Sequence, residues 1–158
     1  MKRTLFTIGY EGLSQKEFIA TLAAAKVRIV FDVRELPLSR KPGFSKRGLA
    51  DALRRSAIDY VHMPALGCPK PIRRRYKAGG SWAAYIKAFK IHLARQRPAL
   101  TDLAHRANET SACLVCFEAD FRRCHRTAVA EAAAGMTGLR IVHLAAGDAL
   151  APMQSAKT

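Results

Sequence analysis

Short runs of apolar and β-branched residues alternate along the chain with stretches in which apolar residues recur at helical spacing. The runs predict five strands, over residues 4–8, 28–33, 58–62, 111–117 and 139–144. The intervening patterns predict helices over residues 14–26, 45–55, 82–93, 98–108 and 124–135. This alternation predicts an α/β fold, a single three-layer domain whose mostly parallel sheet of about five strands carries helices on both faces.

Two segments lack either periodicity. Residues 36–44 contain Pro37, Pro42 and Gly43 and are predicted to be a loop, and residues 63–80, with three prolines and three glycines, are predicted to be irregular. No linker or repeat divides the sequence, so residues 1–147 are predicted to form one domain and residues 148–158 a frayed tail.

Charge changes the picture more than composition does. The chain of 158 residues has 27 Lys and Arg against 12 Asp and Glu, a net charge of +15. Such an imbalance favours an anionic ligand such as nucleic acid or a nucleotide. No run approaches the roughly 20 apolar residues of a membrane span. The start of the chain lacks the pattern of a signal peptide, so we expect a cytoplasmic protein with reduced cysteines and no membrane partner.

The positive charge is concentrated in one part of the chain. Residues 34–77 contribute 12 basic and three acidic residues, and thus +9 of the total. Within them, a cluster near two aromatic residues is predicted to bind nucleic acid through phosphate contacts and base stacking. The alternative is a solvated basic surface. The cluster comprises Lys70, Arg73, Arg74, Arg75 and Lys77.

Candidate catalytic residues follow the predicted strands, where ligands bind in open α/β sheets. Asp32 ends the second strand and Glu118 follows the fourth, and Cys124 and His125 open the last helix. A helix N-terminus favours a thiolate at Cys124 and a neutral imidazole at His125. The alternatives are a buried ion pair for Asp32, a packed thiol for Cys124 and a capping or packing role for His125.

Residues suited to holding an anionic substrate lie beside these candidates. Arginines at strand ends, at a helix start and in the loop over residues 36–44 offer bidentate donors, and two aromatic residues flank them. The loop itself resembles a lid or a phosphate clamp, and its alternative is a solvated turn. The predicted anion-binding set is Tyr10, Arg34, Arg40, Phe44 and Arg126.

Metal ligation is the weaker interpretation of the cysteines. Cys113 and Cys116 have the spacing of a zinc or redox pair, but residues three apart on a strand point to opposite faces. A second pair is also missing. Both are therefore predicted to lie in the core, and no metal ligand is assigned.

Several separated motifs resemble one family. They are Thr7-Ile8-Gly9-Tyr10, Asp32-Val33-Arg34, Pro37-Leu38-Ser39-Arg40, Gly43-Phe44, Tyr60, Leu66-Gly67, Cys116-Phe117-Glu118 and Cys124-His125-Arg126. With these motifs in this order, the chain resembles domain-of-unknown-function family 488 from Thr7 to about His143. The resemblance implies a compact bacterial or archaeal α/β domain whose signature residues gather at one pocket, and it implies no reaction. Glu35 departs from the family, in which a small residue such as Ser is commoner.

Three functional hypotheses follow. The first is an enzyme acting on nucleic acid, a nucleotide or another phosphorylated compound, with His125 as acid or base and Asp32 or Glu118 as its carboxylate partner. The second is a non-catalytic nucleic-acid-binding module. The third is a thiol or metal site built from Cys124, His125, His62 and Glu118. The sequence identifies no cofactor.

Overall fold

A computed structural model describes residues 3–145 and 153–154. Five strands form a parallel sheet, in the order β3-β2-β4-β1-β5, and a short sixth strand, β6, lies antiparallel to β5 at the edge. Their bounds are β1 Thr4–Gly9, β2 Ile29–Asp32, β3 Asp59–His62, β4 Ala112–Cys116, β5 Arg140–Leu144 and β6 Met153–Gln154. The predicted α/β fold class, with a mostly parallel sheet, is confirmed.

Six helices connect the strands, and they cover both faces of the sheet. Their bounds are α1 Gln15–Ala24, α2 Lys46–Arg55, α3 Lys70–Lys77, α4 Trp82–Ala94, α5 Arg97–Glu109 and α6 His125–Thr137. Buried residues of α1 and α2 pack on one face, with Phe18 and Leu49 fully covered. Phe89, Leu103 and Val129 bring α4, α5 and α6 onto the other. The three-layer arrangement is therefore also confirmed.

The prediction that residues 63–80 are irregular is wrong for residues 70–77, which form α3. Proline was interpreted as a helix breaker there, yet Pro69 is the N-cap of α3 and Pro71 lies in its first turn. At those positions the missing N–H has no helical acceptor to lose. Pro64 likewise opens a short 3-10 turn at Pro64–Leu66.

Two expectations concern the chain ends and membranes. The predicted frayed tail, residues 148–158, lies outside the described residues except for β6, which pairs with β5. In the described part of the chain, no helix is long and apolar enough to cross a membrane.

Strand order creates a crevice at the carboxyl edge of the sheet. β4 lies between β2 and β1. The chain leaves β1 and β2 for helices on one face, α1 and α2, whereas it leaves β4 for α6 on the other face. The loops after these neighbouring strands therefore diverge, which is the position at which open α/β sheets bind ligands.

Candidate functional site

A cavity of about 330 Å³ opens at this crevice. It is lined by residues that follow β1, β2 and β4, together with side chains from α3, α4 and α6. The lining residues are Tyr10, Arg34, Glu35, Leu36, Leu38, Ser39, Cys68, Arg73, Lys77, Tyr85, Cys116, Phe117, Glu118 and His125. Polar, thiol and aromatic groups separated by up to 115 positions thus meet in one space.

Two glycines let the backbone close around the cavity. A Cβ on Gly9 would overlap the carbonyl of Glu118, and one on Gly67 would overlap the backbone of Glu35. Only a residue without a side chain permits these approaches. The glycines of the Thr-Ile-Gly-Tyr and Leu-Gly motifs therefore allow two backbone segments to pack closely at the site.

Asp32 and Arg34 form a buried ion pair beneath the cavity. The carboxylate of Asp32 accepts from Arg34 Nε at 2.8 Å and from Arg34 Nη2 at 2.7 Å, and from the Tyr60 hydroxyl at 2.5 Å. Arg34 Nη1 also donates to the carbonyl of Phe44 at 2.7 Å and to the hydroxyl of Tyr10 at 3.2 Å. The cluster ties the ends of β1, β2 and β3 to the loop over residues 36–44.

The charges in this cluster neutralise each other. Burial lowers the pKa of Arg34, but the hydrogen bonds and charge of Asp32 outweigh it and leave the pKa raised. Burial and Asp32 both raise the pKa of Tyr60. Asp32 is fully buried and does not line the cavity. Its geometry is that of the buried ion pair weighed above, and its catalytic role stays a prediction.

A second cluster, of two thiols and an imidazole, reaches the cavity through Cys116 and His125. Cys116 Sγ, Cys124 Sγ and His125 Nδ1 all lie within 4.8 Å of one another, and Cys116 Sγ is 3.7 Å from His125 Nδ1. Cys116 ends β4, and Cys124 caps α6 immediately before His125. We call these three side chains the Cys₂His cluster.

A main-chain hydrogen bond fixes the imidazole. His125 Nε2 lies 2.7 Å from the carbonyl oxygen of Val33, so Nε2 carries the proton and donates it. Nδ1 therefore turns towards the two thiols. Val33, rather than Asp32 or Glu118, orients His125, and both ring nitrogens are engaged by protein groups.

The Cys₂His cluster shares charge among its members. Burial raises the pKa of Cys124, but hydrogen bonds from Cys116 and His125 and the charge of Arg126 lower it well below its usual value. A hydrogen bond with Cys124, together with burial, raises the pKa of Cys116. By contrast, burial raises the pKa of Cys68, also at the cavity, to about 11.

The expectation of a lowered pKa at His125 is wrong. Burial does lower this pKa, but hydrogen bonding to Cys124 and the charge of its thiolate outweigh burial and raise it. The expectation considered the α6 dipole alone. A thiolate in contact is a full charge, whereas the helix N-terminus carries about half a charge.

Glu118 reaches the edge of the Cys₂His cluster. Its carboxylate oxygen Oε1 is 3.6 Å from Cys116 Sγ, and the residue lines the cavity. Burial, and then the charge of Cys124, raise the pKa of this carboxyl. The carboxyl group of Glu118 therefore faces the cavity.

The predicted anion-binding residues occupy different environments. Arg126 is fully buried and donates to Thr7 Oγ1 and to the carbonyls of Glu118 and Ala119. Arg40 is exposed and lies outside the cavity lining. Phe44 is buried and stacks on Tyr10 with ring centroids 4.4 Å apart. Within this set, Tyr10 and Arg34 line the cavity.

The mouth of the cavity combines cations with exposed apolar side chains. Lys77 is exposed there, and Arg73 Nη1 donates to Glu35 at 2.8 Å and to the carbonyl of Cys68. Three large apolar side chains at the rim are strongly exposed: Leu36, Leu38 and Phe117. This rim offers both an anionic group and an apolar or planar group a place to bind.

Helix α3 continues the positive charge of the mouth onto the surface. Lys70, Arg74 and Arg75 are exposed, and no salt bridge to them occurs among residues 3–145. Beside α3, the ring of Trp82 stacks on Tyr85 with centroids 4.7 Å apart and meets Tyr76 edge-on at 5.8 Å. The predicted nucleic-acid-binding cluster is therefore one helix, of which Arg73 and Lys77 reach the cavity.

Sequence reasoning missed part of the site. Cys116 was predicted to be core only; it is buried, and on the face opposite Cys113, but it also lines the cavity. Its position at the end of a central parallel strand was the signal that it belonged with the strand-end residues. Cys68 and Tyr85 gave no comparable signal. His62, expected beside Cys124, instead bonds to the carbonyl of Arg34.

Comparison with known proteins identifies the family alone. Neither the curated proteins nor the solved structures gave a match to this chain. The family described as "Domain of unknown function DUF488" matches residues 14–133, well over half of the chain. The matched range contains the Asp32–Arg34 ion pair, the whole Cys₂His cluster and Glu118. The chain therefore belongs to the DUF488 family.

Proposed function

We propose that this protein is an enzyme that hydrolyses a bond in nucleic acid or in a nucleotide bound at the cavity. One observation carries the proposal. The cavity places the carboxyl group of Glu118 and the Cys₂His cluster beside two cationic side chains, Arg73 and Lys77, that belong to an exposed basic helix. Reactive groups and phosphate-binding groups therefore share one space.

The arrangement suggests a role for each part. The cations of α3 attract the phosphate backbone, and Lys77 places one of them at the mouth of the cavity. The exposed ring of Phe117 and the side chains of Leu36 and Leu38 provide a surface on which a base can stack. A cavity of about 330 Å³ admits a single nucleotide rather than a duplex.

Glu118 is the group best placed to move a proton. It accepts a proton from the attacking water and returns it to the leaving group, so the reaction consumes one water and leaves the carboxyl group unchanged. Asp32 is neutralised by Arg34 and buried, and both nitrogens of His125 contact protein groups.

The test combines binding and turnover on one probe, a fluorescent mixed-sequence single-stranded oligonucleotide, prepared as DNA and as RNA. Mass spectrometry of the incubated probe detects strand cleavage, base release and deamination together. We expect Glu118→Gln to lose turnover by about 100-fold or more while binding changes little. Full turnover in that variant, or an unaltered probe with wild-type protein, would contradict the proposal.

A non-catalytic nucleic-acid-binding module is the second candidate, and the exposed cations of α3 favour it. The triple variant Arg74→Gln, Arg75→Gln, Lys77→Gln should reduce the slope of log affinity against log salt by about 2. A matched control removes the same charge from α4 and its C-cap, at Lys87, Lys90 and Arg95, which are also exposed. Weakened binding by the first variant alone, with no turnover by any variant, identifies a binding module.

A further inference from the structure

We infer that the Cys₂His cluster binds a zinc-type divalent metal ion whose open coordination position faces the cavity. The inference rests on the proposed function for the role of the metal, but not for its binding. The side chains of Cys116, Cys124 and His125 converge, and their three ligand atoms lie within 4.8 Å of one another. Two thiolates and one imidazole are a donor set that zinc prefers in proteins.

The spacing of the donor atoms suits a tetrahedral ion. Zinc–sulfur bonds of about 2.3 Å and zinc–nitrogen bonds of about 2.0 Å at tetrahedral angles separate sulfur from nitrogen by about 3.5 Å. The distance between Cys116 Sγ and His125 Nδ1 is 3.7 Å. The cluster therefore needs shifts of only a few tenths of an ångström along this edge to hold the ion.

The imidazole is already prepared as a ligand. Metal-bound histidines commonly donate the other ring N–H to a carbonyl or carboxylate, which fixes the tautomer and the ring plane. Here Nε2 donates to the Val33 carbonyl at 2.7 Å, and Nδ1 points at the thiols. Packing also fixes the ring, because Phe89 meets it edge-on with centroids 5.1 Å apart.

The three protein ligands leave the fourth position open to the cavity. Cys116 and His125 line the cavity, whereas Cys124 lies behind them and does not. Glu118, with Oε1 3.6 Å from Cys116 Sγ, lies beside the cluster but outside the set of mutually close ligand atoms. Three ligands, an open position and a nearby carboxylate are the arrangement of a catalytic rather than a structural zinc site.

The metal would supply the attacking group of the proposed hydrolysis. A zinc-bound water loses its proton near neutral pH, and Glu118 is placed to accept that proton. The resulting hydroxide adds to the electrophilic atom of the substrate, and the proton on Glu118 passes to the leaving group. No electron is transferred, so no oxidant or reductant is required.

Direct metal binding tests the inference without any substrate. The full chain is stripped with a chelator, dialysed and titrated with zinc ion or with cobalt(II). We expect one metal per chain, and for cobalt the intense visible bands of a tetrahedral ion with a thiolate charge-transfer band. Cys116→Ser, Cys124→Ser and His125→Gln should each weaken zinc binding by more than about 100-fold, the upper range for loss of groups that only support a ligand.

Cys113→Ser is the matched control, because Cys113 is a buried thiol on the same strand that faces the opposite side of the sheet. It should bind zinc as the wild-type chain does. Should the ligand variants fail to fold, alkylation of the wild-type chain replaces them. Zinc should protect Cys116 and Cys124 from iodoacetamide and leave the labelling of Cys68 unchanged.

Two results would overturn the inference: no stoichiometric zinc or cobalt binding by the reduced chain, or equal alkylation of both thiols with and without zinc. Failure of the metal and failure of the proposed function are distinguishable. Turnover that depends on Glu118 in a chain that binds neither zinc nor cobalt removes the inference and leaves the function. One tightly bound zinc with no change in the oligonucleotide leaves the metal site and removes the function.

Discussion

Two buried polar clusters lie at the same edge of the sheet, and they differ in whether their own contacts satisfy them. In the first, the Asp32 carboxylate accepts hydrogen bonds from Arg34 and Tyr60, and Arg34 also donates to Tyr10 and Phe44. In the second, the Cys₂His cluster, two sulfurs and one ring nitrogen turn towards one another, and no arginine or lysine donates to them in the described residues.

This difference distinguishes buried groups that stabilise the backbone from buried groups that can bind a ligand. A buried charge that is fully paired stabilises the surrounding backbone, and removal of one partner is costly. Two thiols and an imidazole whose ligand atoms converge beside a cavity are instead suited to share a metal ion. Four measurements test whether the two clusters differ in this way.

The largest effect is expected for Asp32→Ala. Removal of the carboxylate leaves the Arg34 guanidinium buried without a counter-ion, and we expect a loss of about 3–5 kcal/mol in the free energy of unfolding. Urea denaturation measures it. Asp51→Ala, which removes an exposed partner of Arg54, should cost less than about 1 kcal/mol. A similar small loss for Asp32→Ala would contradict the supporting role.

His143 is a third buried polar feature, and only one of its two ring nitrogens has a hydrogen-bond partner in the described part of the chain. Nδ1 lies 2.5 Å from Thr7 Oγ1, whereas Nε2 has no partner in the described part of the chain. Burial lowers the pKa of His143 to about 4. Because the folded state then binds fewer protons than the unfolded chain, stability should fall as the pH falls from 6.5 to 4, by about 3 kcal/mol.

Urea denaturation at both pH values, in the wild-type chain and in His143→Gln, isolates this contribution. The variant cannot titrate, so its loss of stability over the window should be smaller by the same amount. Equal pH dependence in the two proteins would show that the imidazole is solvated in the folded state.

Zinc should stabilise the fold only through the second cluster. At a free concentration 100 times its dissociation constant, a ligand of the native state adds about 2.7 kcal/mol. We expect that increase in the free energy of unfolding for the wild-type chain and for Cys113→Ser, and none for Cys124→Ser. An increase in all three proteins would indicate binding elsewhere.

Tyr60→Phe should have the smallest effect. It removes one hydrogen bond to the Asp32 carboxylate, which still has Arg34, so we expect a loss of about 1–2 kcal/mol. Zinc affinity should be unchanged, because Tyr60 belongs to the first cluster alone. A large change in zinc affinity would mean that the two clusters are coupled through the Val33–His125 hydrogen bond.

The sequence predicts the strands and the helices of this protein well, for a physical reason. β2 and β4 are buried on both faces, so they appear as apolar runs, and Ser14 and Glu17 form a capping box at the start of α1. These are local signals. Helix α3 escaped prediction because its prolines occupy the first turn, where their effect on a helix is favourable.

The site could be predicted only as a set of strand ends. The pairing of Cys116 with Cys124 depends on the turn between β4 and α6, which no periodicity reports. Arg126 shows the same limit. A helix start predicts an anion-binding side chain, yet the close approach of Glu118 to Gly9 brings carbonyl groups to Arg126 that it binds instead.

The ion pair at the mouth of the cavity has a consequence for which ligands enter. Arg73 holds the carboxylate of Glu35 at 2.8 Å. The Glu35 carboxylate thus competes with any anionic ligand for the guanidinium group of Arg73. A free inorganic anion has to displace it with a single contact, whereas a larger ligand brings further contacts of its own. We therefore expect larger anionic ligands to enter this cavity in preference to small inorganic ions.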